Sequence, residues 1–457
     1  MCNSETCSST REVLIESRWV LEFAFLFFIV TFCFLVSDQK RRKPESMSWL
    51  ASDRSAYLGA EFDSIARAIV AGRGFSDPFQ EPSGPTAWMP PVQPVLLASA
   101  YLVLSDSRAR VAEFMLGFQA FVVFCTGWLF LRETARIGRA FIGYIVFPVF
   151  LFACFHDVFQ SAHDVGIILL FVGLIWWTFS DARFGKASAS SGMKCGLIGG
   201  LAALCSPVLG AVWAANLVVA FGRSRIALVP QTRGISRTFF AFAIAMSLIA
   251  VTPWTVRNLL VFRTLIPIKS NAGYELWLSQ CLDDDGVLDE QTFKKHVGHP
   301  NSLHRIRYRE AGEINFVADL QAEALAAIMR EPRKFVERVL SRASAALLCY
   351  QPERGSAEDK LTTSITRLVF PLPFIGFLVV LISGQNREKA GFVAASLIYL
   401  AGSLPYILVS YYSRYSTPFL LAKMLLVGYG VDAIFATSGI FRQEKSRQSS
   451  VVNGRLI

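Results

Sequence analysis

The chain has 457 residues, 53% of them hydrophobic, a mean hydropathy of +0.42 and a net charge of +10. Its apolar residues fall in long runs, which excludes an ordinary soluble domain and marks a membrane protein. No nucleic-acid motif accompanies the positive charge, so the basic residues are topology signals, with membrane lipids as secondary partners.

Residues 1–18 are expected to form a cytoplasmic tail. Next is the run from Trp19 to Val36, broken only by Glu22 and Thr31. No small-residue cleavage site comes after it, so it is a retained anchor rather than a signal peptide. Further spans are expected at 111–131, 139–155, 164–180, 195–206, 209–221, 238–253, 364–384, 390–409 and 416–436. The stretch 195–221 is too long for one ordinary span and carries Ser206-Pro207 near its middle. It reads as a tight helical hairpin, with one long kinked helix as the alternative.

The run 91–105 opens at Pro90-Pro91 and is short for a crossing. It is either an eleventh span or a re-entrant or interfacial helix, and the choice fixes the side on which the first loop, 37–110, lies. The fold class is thus an all-α polytopic membrane protein with ten or eleven spans. Residues 19–253 form a membrane module that includes loop 37–110. A larger loop region, 254–362, carries helices near 306–330 and 332–350; then come C-terminal spans within 363–437 and a basic tail, 438–457.

The connections alternate in charge. Arg132, Arg136 and Arg139 mark one loop; Arg183, Lys186 and Lys194, then Arg223, Arg225, Arg233 and Arg237, then Arg387 and Lys389 mark others on the same side. The tail adds Arg442, Lys445, Arg447 and Arg455. Loop 156–163 has no Lys or Arg, and 410–415 has only Arg414. The positive-inside rule makes the first set cytoplasmic and puts 156–163, 254–362 and 410–415 outside. The cluster Lys40-Arg41-Arg42-Lys43 disagrees, because charge alone puts it inside and makes 91–105 a span.

Chemistry concentrates in the first loop. Residues 57–71 have an amphipathic helical pattern with Leu58, Phe62, Ile65 and Ile69 on one face, suited to the membrane interface. Glu61 falls at the edge of that face, where partial desolvation raises a carboxyl toward the working range of a general base. Asp63 falls on the polar side, within i+4 reach of Arg67. A Gly- and Pro-rich stretch comes next, with Trp88 suited to an interfacial belt. His156-Asp157 and His163-Asp164 are ordinary loop polarity or ligands for a divalent metal; no cofactor is implied with certainty. Asp283-Asp284-Asp285-Gly286 reads as a solvated turn. His296, His299 and His304 crowd one segment, with a zinc site as the alternative to plain loop polarity. The nine cysteines show no metal spacing and no pairing; several sit in apolar runs, where a thiol is a small hydrophobe.

Several segments resemble a known family. Gly72-Arg73-Gly74-Phe75-Ser76, Pro85-Thr86-Ala87-Trp88 and Pro90-Pro91 resemble the first outer loop of bacterial GT-C glycosyltransferases. The kin are the dolichyl-phosphate-mannose-protein mannosyltransferase-like and lipopolysaccharide-modifying branches. Thr252-Pro253-Trp254-Thr255-Val256-Arg257-Asn258 is similar to that family's Pro-Trp-x-x-Arg-Asn. The segment from Pro267 to Trp277 is similar to the family's next stretch of chain, and Tyr412-Ser413-Arg414-Tyr415-Ser416-Thr417-Pro418 to its late Arg-Tyr…Pro motif.

The resemblance implies transfer of a sugar from a polyprenyl-phosphate donor to a lipid, glycan or protein acceptor, at a bacterial inner membrane. It implies an acid of the first loop as base, matched here by Glu61 with Asp63 in reserve. The family more often shows Asp where this chain has Tyr57 and Leu58. Arg257, Arg414 and Lys269 are then candidates for the donor phosphate, Arg through its planar fork of donors, or else anchors that snorkel to the interface. Trp88, Asp164, Asn258 and Tyr415 are candidate substrate contacts. The rival reading, a transporter or lipid flippase, calls for internal repeats and charges deep in broken helices. No repeat is evident, and Glu22 and Glu113 lie near span ends.

Overall fold

A computed structural model describes residues 4–41, 58–104, 107–180, 188–225, 237–282, 286–288, 292, 295–299, 302–351 and 360–438. Arg42 and Lys43 of the basic cluster, Tyr57, the loop residues Arg183, Lys186 and Arg233, the run 283–285, and the ends 1–3 and 439–457 lie outside the described residues. The described residues are helical, joined by loops with isolated bridges at Ser76–Pro85 and Val287–Tyr411. In chain order the helices are α1 (Ser4–Arg41), α2 (Ala60–Val70), α3 (Val92–Leu104), α4 (Arg108–Arg136), α5 (Ala140–Ala153), α6 (Phe155–Phe159) and α7 (Val165–Ser180). Then come α8 (Ala189–Cys205), α9 (Pro207–Arg225), α10 (Arg237–Phe262), α11 (Ala272–Trp277), α12 (Leu303–Ala311), α13 (Glu313–Arg330) and α14 (Pro332–Leu347). Last are α15 (Lys360–Val369), α16 (Leu372–Ser383), α17 (Ala390–Leu408), a 3₁₀ segment Ser413–Phe419, and α18 (Leu420–Thr437).

Among the described residues, seven stretches are long and apolar enough to cross a membrane alone: Arg18–Asp38, Arg108–Arg136, Pro207–Ser224, Arg237–Phe262, Lys360–Ser383, Ala390–Leu408 and Ser413–Thr437. The shorter apolar helices α5, α7 and α8 run beside them. Together these make ten apolar helical segments among the described residues, at the positions of the ten expected runs. One end is basic. There Arg139 Nε lies 3.0 Å from Asp432 Oδ1, Asn386 donates to Asp432, and Arg136 and Tyr429 both donate to Glu133. The other end carries the two large loops.

The run 91–105 is not an eleventh crossing. Near the end of α1, Ser37 Oγ donates to the Phe159 carbonyl at 2.6 Å. On α4, Gln119 Nε2 donates to the Val158 carbonyl at 2.7 Å. Both helices therefore meet the 157–161 segment at one level, and a single crossing between them would put them at opposite ends. Helix α3, about 20 Å long at 1.5 Å per residue, instead lies against the first turns of α4. Leu97, Tyr101, Val111, Met115 and Phe62 form one buried cluster there. This corrects the picture of α2 as an interfacial helix: α3 and α4 cover it, burying Phe62, Asp63, Ser64, Ile65, Ala66 and Ala68.

The 195–221 stretch is a hairpin. Ser206 is extended at φ −155°, Trp213 Nε1 donates back to the Cys195 carbonyl at 3.1 Å, and Gly210 packs on Ala203. On the opposite side of α8, Gly192, Gly196 and Gly200 touch the α10 backbone at Phe239, Ala243 and Ser247. That four-residue spacing of glycines lets two backbones meet without side chains between them. Helix α10 runs nine residues beyond the expected end at 253, with Pro253 inside it.

Beyond the spans, the 75–91 loop and α11 to α13 share an aromatic core of Phe79, Trp88, Tyr274, Tyr308 and Phe316. Trp88 is 1% exposed, so it is a core residue here rather than part of an interfacial belt. Glu313, at the start of α13, ties the two loop regions together. Its carboxylate accepts from Thr86 Oγ1 at 2.5 Å, Ala87 N at 2.8 Å, Ser270 Oγ at 2.7 Å and Tyr308 OH at 2.9 Å. The expected 306–330 helix is broken at Gly312, whose φ of +74° favours glycine.

Candidate active site

At the loop end, a cavity of about 370 Å³ opens between α2, the 156–163 segment, α11 and the 3₁₀ segment. Glu61, Asp157, His163, Glu275, Arg414 and Tyr415 all face it. That volume admits a sugar ring with a phosphate, since a water-sized group takes about 10–15 Å³ on this measure.

Glu61 is placed by the start of α2. Gly59, at φ +80°, turns the chain into the helix, and a Cβ there would stand 3.1 Å from His163 Nδ1. The 295–299 segment closes over the carboxylate: a Cβ on Gly298 would lie 3.5 Å from Glu61 Oε1. Burial pushes the Glu61 carboxyl above its usual range, and the charges of Arg414 and Lys269 only partly offset this. Among the described residues its side chain has no ion pair or hydrogen-bonding side-chain partner.

Arg414 sits in the 3₁₀ segment with its guanidinium against Tyr412 and Tyr415, at 5.4 and 5.8 Å from the ring centroids. Among the described residues no carboxylate pairs with it, although Glu61, Asp157 and Asp164 are within electrostatic reach. An arginine flanked by aromatic rings and unpaired by protein acids is ready for an external anion.

The other acids differ in state. Burial also raises the Asp164 carboxyl, against Arg414. Burial raises Asp157 too, but hydrogen bonds from His156 and from Thr417 Oγ1, the latter at 2.5 Å, outweigh it and leave this carboxyl low. His163 is pulled down to about 3 by burial and by Arg414, so its imidazole is neutral at ordinary pH. His296 is pulled down to about 4 chiefly by burial. Among the described residues no group of three or more His, Cys, Asp or Glu has the arrangement to hold a metal ion.

The structure thus brings Glu61, Trp88, Arg414 and Tyr415 to one cavity, with Lys269 and Asp164 close enough to influence Glu61 without lining it. Three other candidates stand elsewhere. Asp63, expected on a polar face, is fully buried; it accepts from Tyr101 OH and lies 3.0 Å from Arg108 Nε. Arg257 donates to the Thr86 and Phe75 carbonyls at 2.7 and 2.8 Å and stacks on Trp254, so it holds the 75–86 loop. Asn258 is buried and donates to the Ile266 carbonyl at 3.0 Å, shaping the turn after α10.

Sequence reasoning missed Glu275 and Asn271. Asn271 Nδ2 donates to Glu275 Oε1 at 3.2 Å, Ser410 donates to the other oxygen at 3.1 Å, and the Asn271 Oδ1 is buried without a partner. A six-residue helix gives no periodicity to find them by. Only their position in the segment from Pro267 to Trp277 hinted at them.

No family model and no curated protein matches the chain. Among solved structures, the crystal structure of ArnT from Cupriavidus metallidurans in the apo state aligns over 92% of this chain and 78% of that one. Identity is 15% and the TM-score is 0.32. A likeness that distant transfers no residue's role.

Proposed function

We propose that the chain is a membrane glycosyltransferase of GT-C type that moves a sugar, with inversion, from a polyprenyl-phosphate donor to a lipid, glycan or protein acceptor at the outer membrane face. One observation carries this reading: an acid with a raised pKa and an arginine unpaired by protein acids share one cavity at the ends of the spans. Glu61 takes the proton of the acceptor hydroxyl as its oxygen attacks the anomeric carbon. The bond from that carbon to the phosphate oxygen breaks, and the phosphate leaves with its charge on Arg414, helped by Lys269. Tyr415 and Trp88 wall the sugar, and Asp164 helps set the charge balance. Arg257 and Asn258 act at a distance, by holding the loops that form the cavity. Asp63 fixes α2 and so the direction of Glu61.

The test offers purified protein a labelled polyprenyl-phosphate sugar. Transfer or hydrolysis is expected from the wild type. Glu61→Gln should lower kcat by about 10²–10⁴, and Arg414→Ala by about 10²–10³. Lipid movement with no bond broken points to the flippase instead. Full transfer by both variants sinks the scheme.

A further inference from the structure

A second cavity, of about 40 Å³, lies beside the first and shares His156 and Asp157 with it. Side chains of α5, α15, α18 and the 3₁₀ segment enclose it. Lys423 of α18 reaches into it. This lysine is 6% exposed, and among the described residues its ammonium has neither hydrogen bond nor ion pair. Its neighbour is the Phe370 ring, with the centroid 5.0 Å away. An ammonium buried in a span is costly unless something answers it. Asp157 is the carboxylate on this wall, and it is already engaged by Thr417 and His156. Arg414 also lies near Asp157, so this carboxylate is not free to answer Lys423 alone.

We propose that this cavity is an anion site, separate from the Glu61 cavity, and that it seats the phosphate group of a membrane lipid. The volume holds about three water-sized groups, room for the two free oxygens and one ester oxygen of a lipid phosphodiester. Lys423 supplies the charge. Thr366 and Ser416 now donate to the Thr362 and Ser413 carbonyls, and their hydroxyls can rotate toward a phosphate oxygen. The source is a lipid because α5 and α15, which wall the cavity, turn Phe152, Leu361 and Leu368 outward to the surface that a bilayer covers.

The test uses full-length protein, stripped of lipid in detergent and then exposed to phosphatidylglycerol, to diacylglycerol, or to inorganic phosphate. Native mass spectrometry and thermal shift read retention. Wild type should retain phosphatidylglycerol and not diacylglycerol. Lys423→Met should weaken that retention roughly tenfold or more, the effect of losing one charged hydrogen bond, and Lys423→Arg should restore it. Lys423→Gln replaces Lys423→Met if the latter does not fold. Glu61→Gln should leave retention unchanged, which keeps this result separate from the transfer assay. Lysine-dependent binding of inorganic phosphate without lipid retention would keep the anion site and overturn its lipid occupant. Retention independent of Lys423, or a cavity that holds ordered water only, overturns the proposal.

Discussion

Two carboxylates two residues apart on α2 have opposite fates. Glu61 borders a cavity, and burial pushes its carboxyl above the usual range; Asp63 is locked to Tyr101 and Arg108. The folded pKa of Glu61 lies above its unfolded one, so the proton favours the native state. Stability from this group is full below the unfolded pKa and is lost as pH rises through the folded one. Glu61→Gln is therefore expected to raise the melting temperature at pH 7, with the gain vanishing in acid. Calorimetry at both pH values checks this. In the transfer assay the sign is opposite, because the base must be ionised. The acid limb of kcat/KM should lie above the ordinary glutamate range, and Lys269→Met should move it higher still, since that cation lowers the Glu61 pKa. An unmoved limb would break the link between Lys269 and the base. Asp63→Ala should behave as a folding mutation, costing roughly 3–5 kcal/mol by breaking a buried ion pair, with kcat per folded molecule far less affected than in Glu61→Gln. Glu61's placement was legible from the helical pattern. The burial of Asp63 was not, because its partner Arg108 lies 45 positions away and no local pattern reports a contact at that separation.

At the scale of elements, hydropathy located the crossings well because a lipid-facing helix needs no partner to explain its composition. Helix α10 shows the residue-level basis: Leu248, Ile249 and Leu260 are each more than 60% exposed, so they are apolar for the bilayer's sake. What hydropathy missed was packing. It stopped α10 at Pro253, although the helix runs through, and it gave no reason for the glycines of α8. A Cβ on Gly196 would press on the Ala243 carbonyl, a backbone atom with nowhere to move. Gly196→Val is therefore expected to separate α8 from α10 and lower the melting temperature sharply. Gly222→Val in α9 meets nothing within 4 Å and should be neutral or slightly stabilising, since valine's helix propensity exceeds glycine's by less than about 1 kcal/mol. Equal losses in the two variants would show that the glycine spacing does not govern this contact.

For the molecule as a whole, the decisive quantity is the side on which the loop end lies. Charge gave two answers for loop 37–110, since the cluster at 40–43 favoured one side and every later loop implied the other. The structure adds a constraint of parity. Ser37 and Gln119 donate to different carbonyls of the same 157–161 segment, so the chain between them leaves and returns at one end. Trp19 of α1 and Asp432 of α18 both lie at the basic end, which the positive-inside rule expects to be cytoplasmic. On the proposed function the cavity with Glu61 faces outward, where a lipid-linked sugar is the fitting donor because nucleotide sugars are cytoplasmic metabolites. Single cysteines test this in a background from which all nine native cysteines are removed. Ala71→Cys, just past the C-terminal end of α2, should react with a membrane-impermeant maleimide in intact cells. Gln385→Cys, between α16 and α17, should react only after permeabilisation. Both positions are accessible at the surface, so silence at either reflects the membrane rather than burial. The reverse pattern would put Glu61 and Arg414 in the cytoplasm, and the outward-facing donor scheme would fall with it.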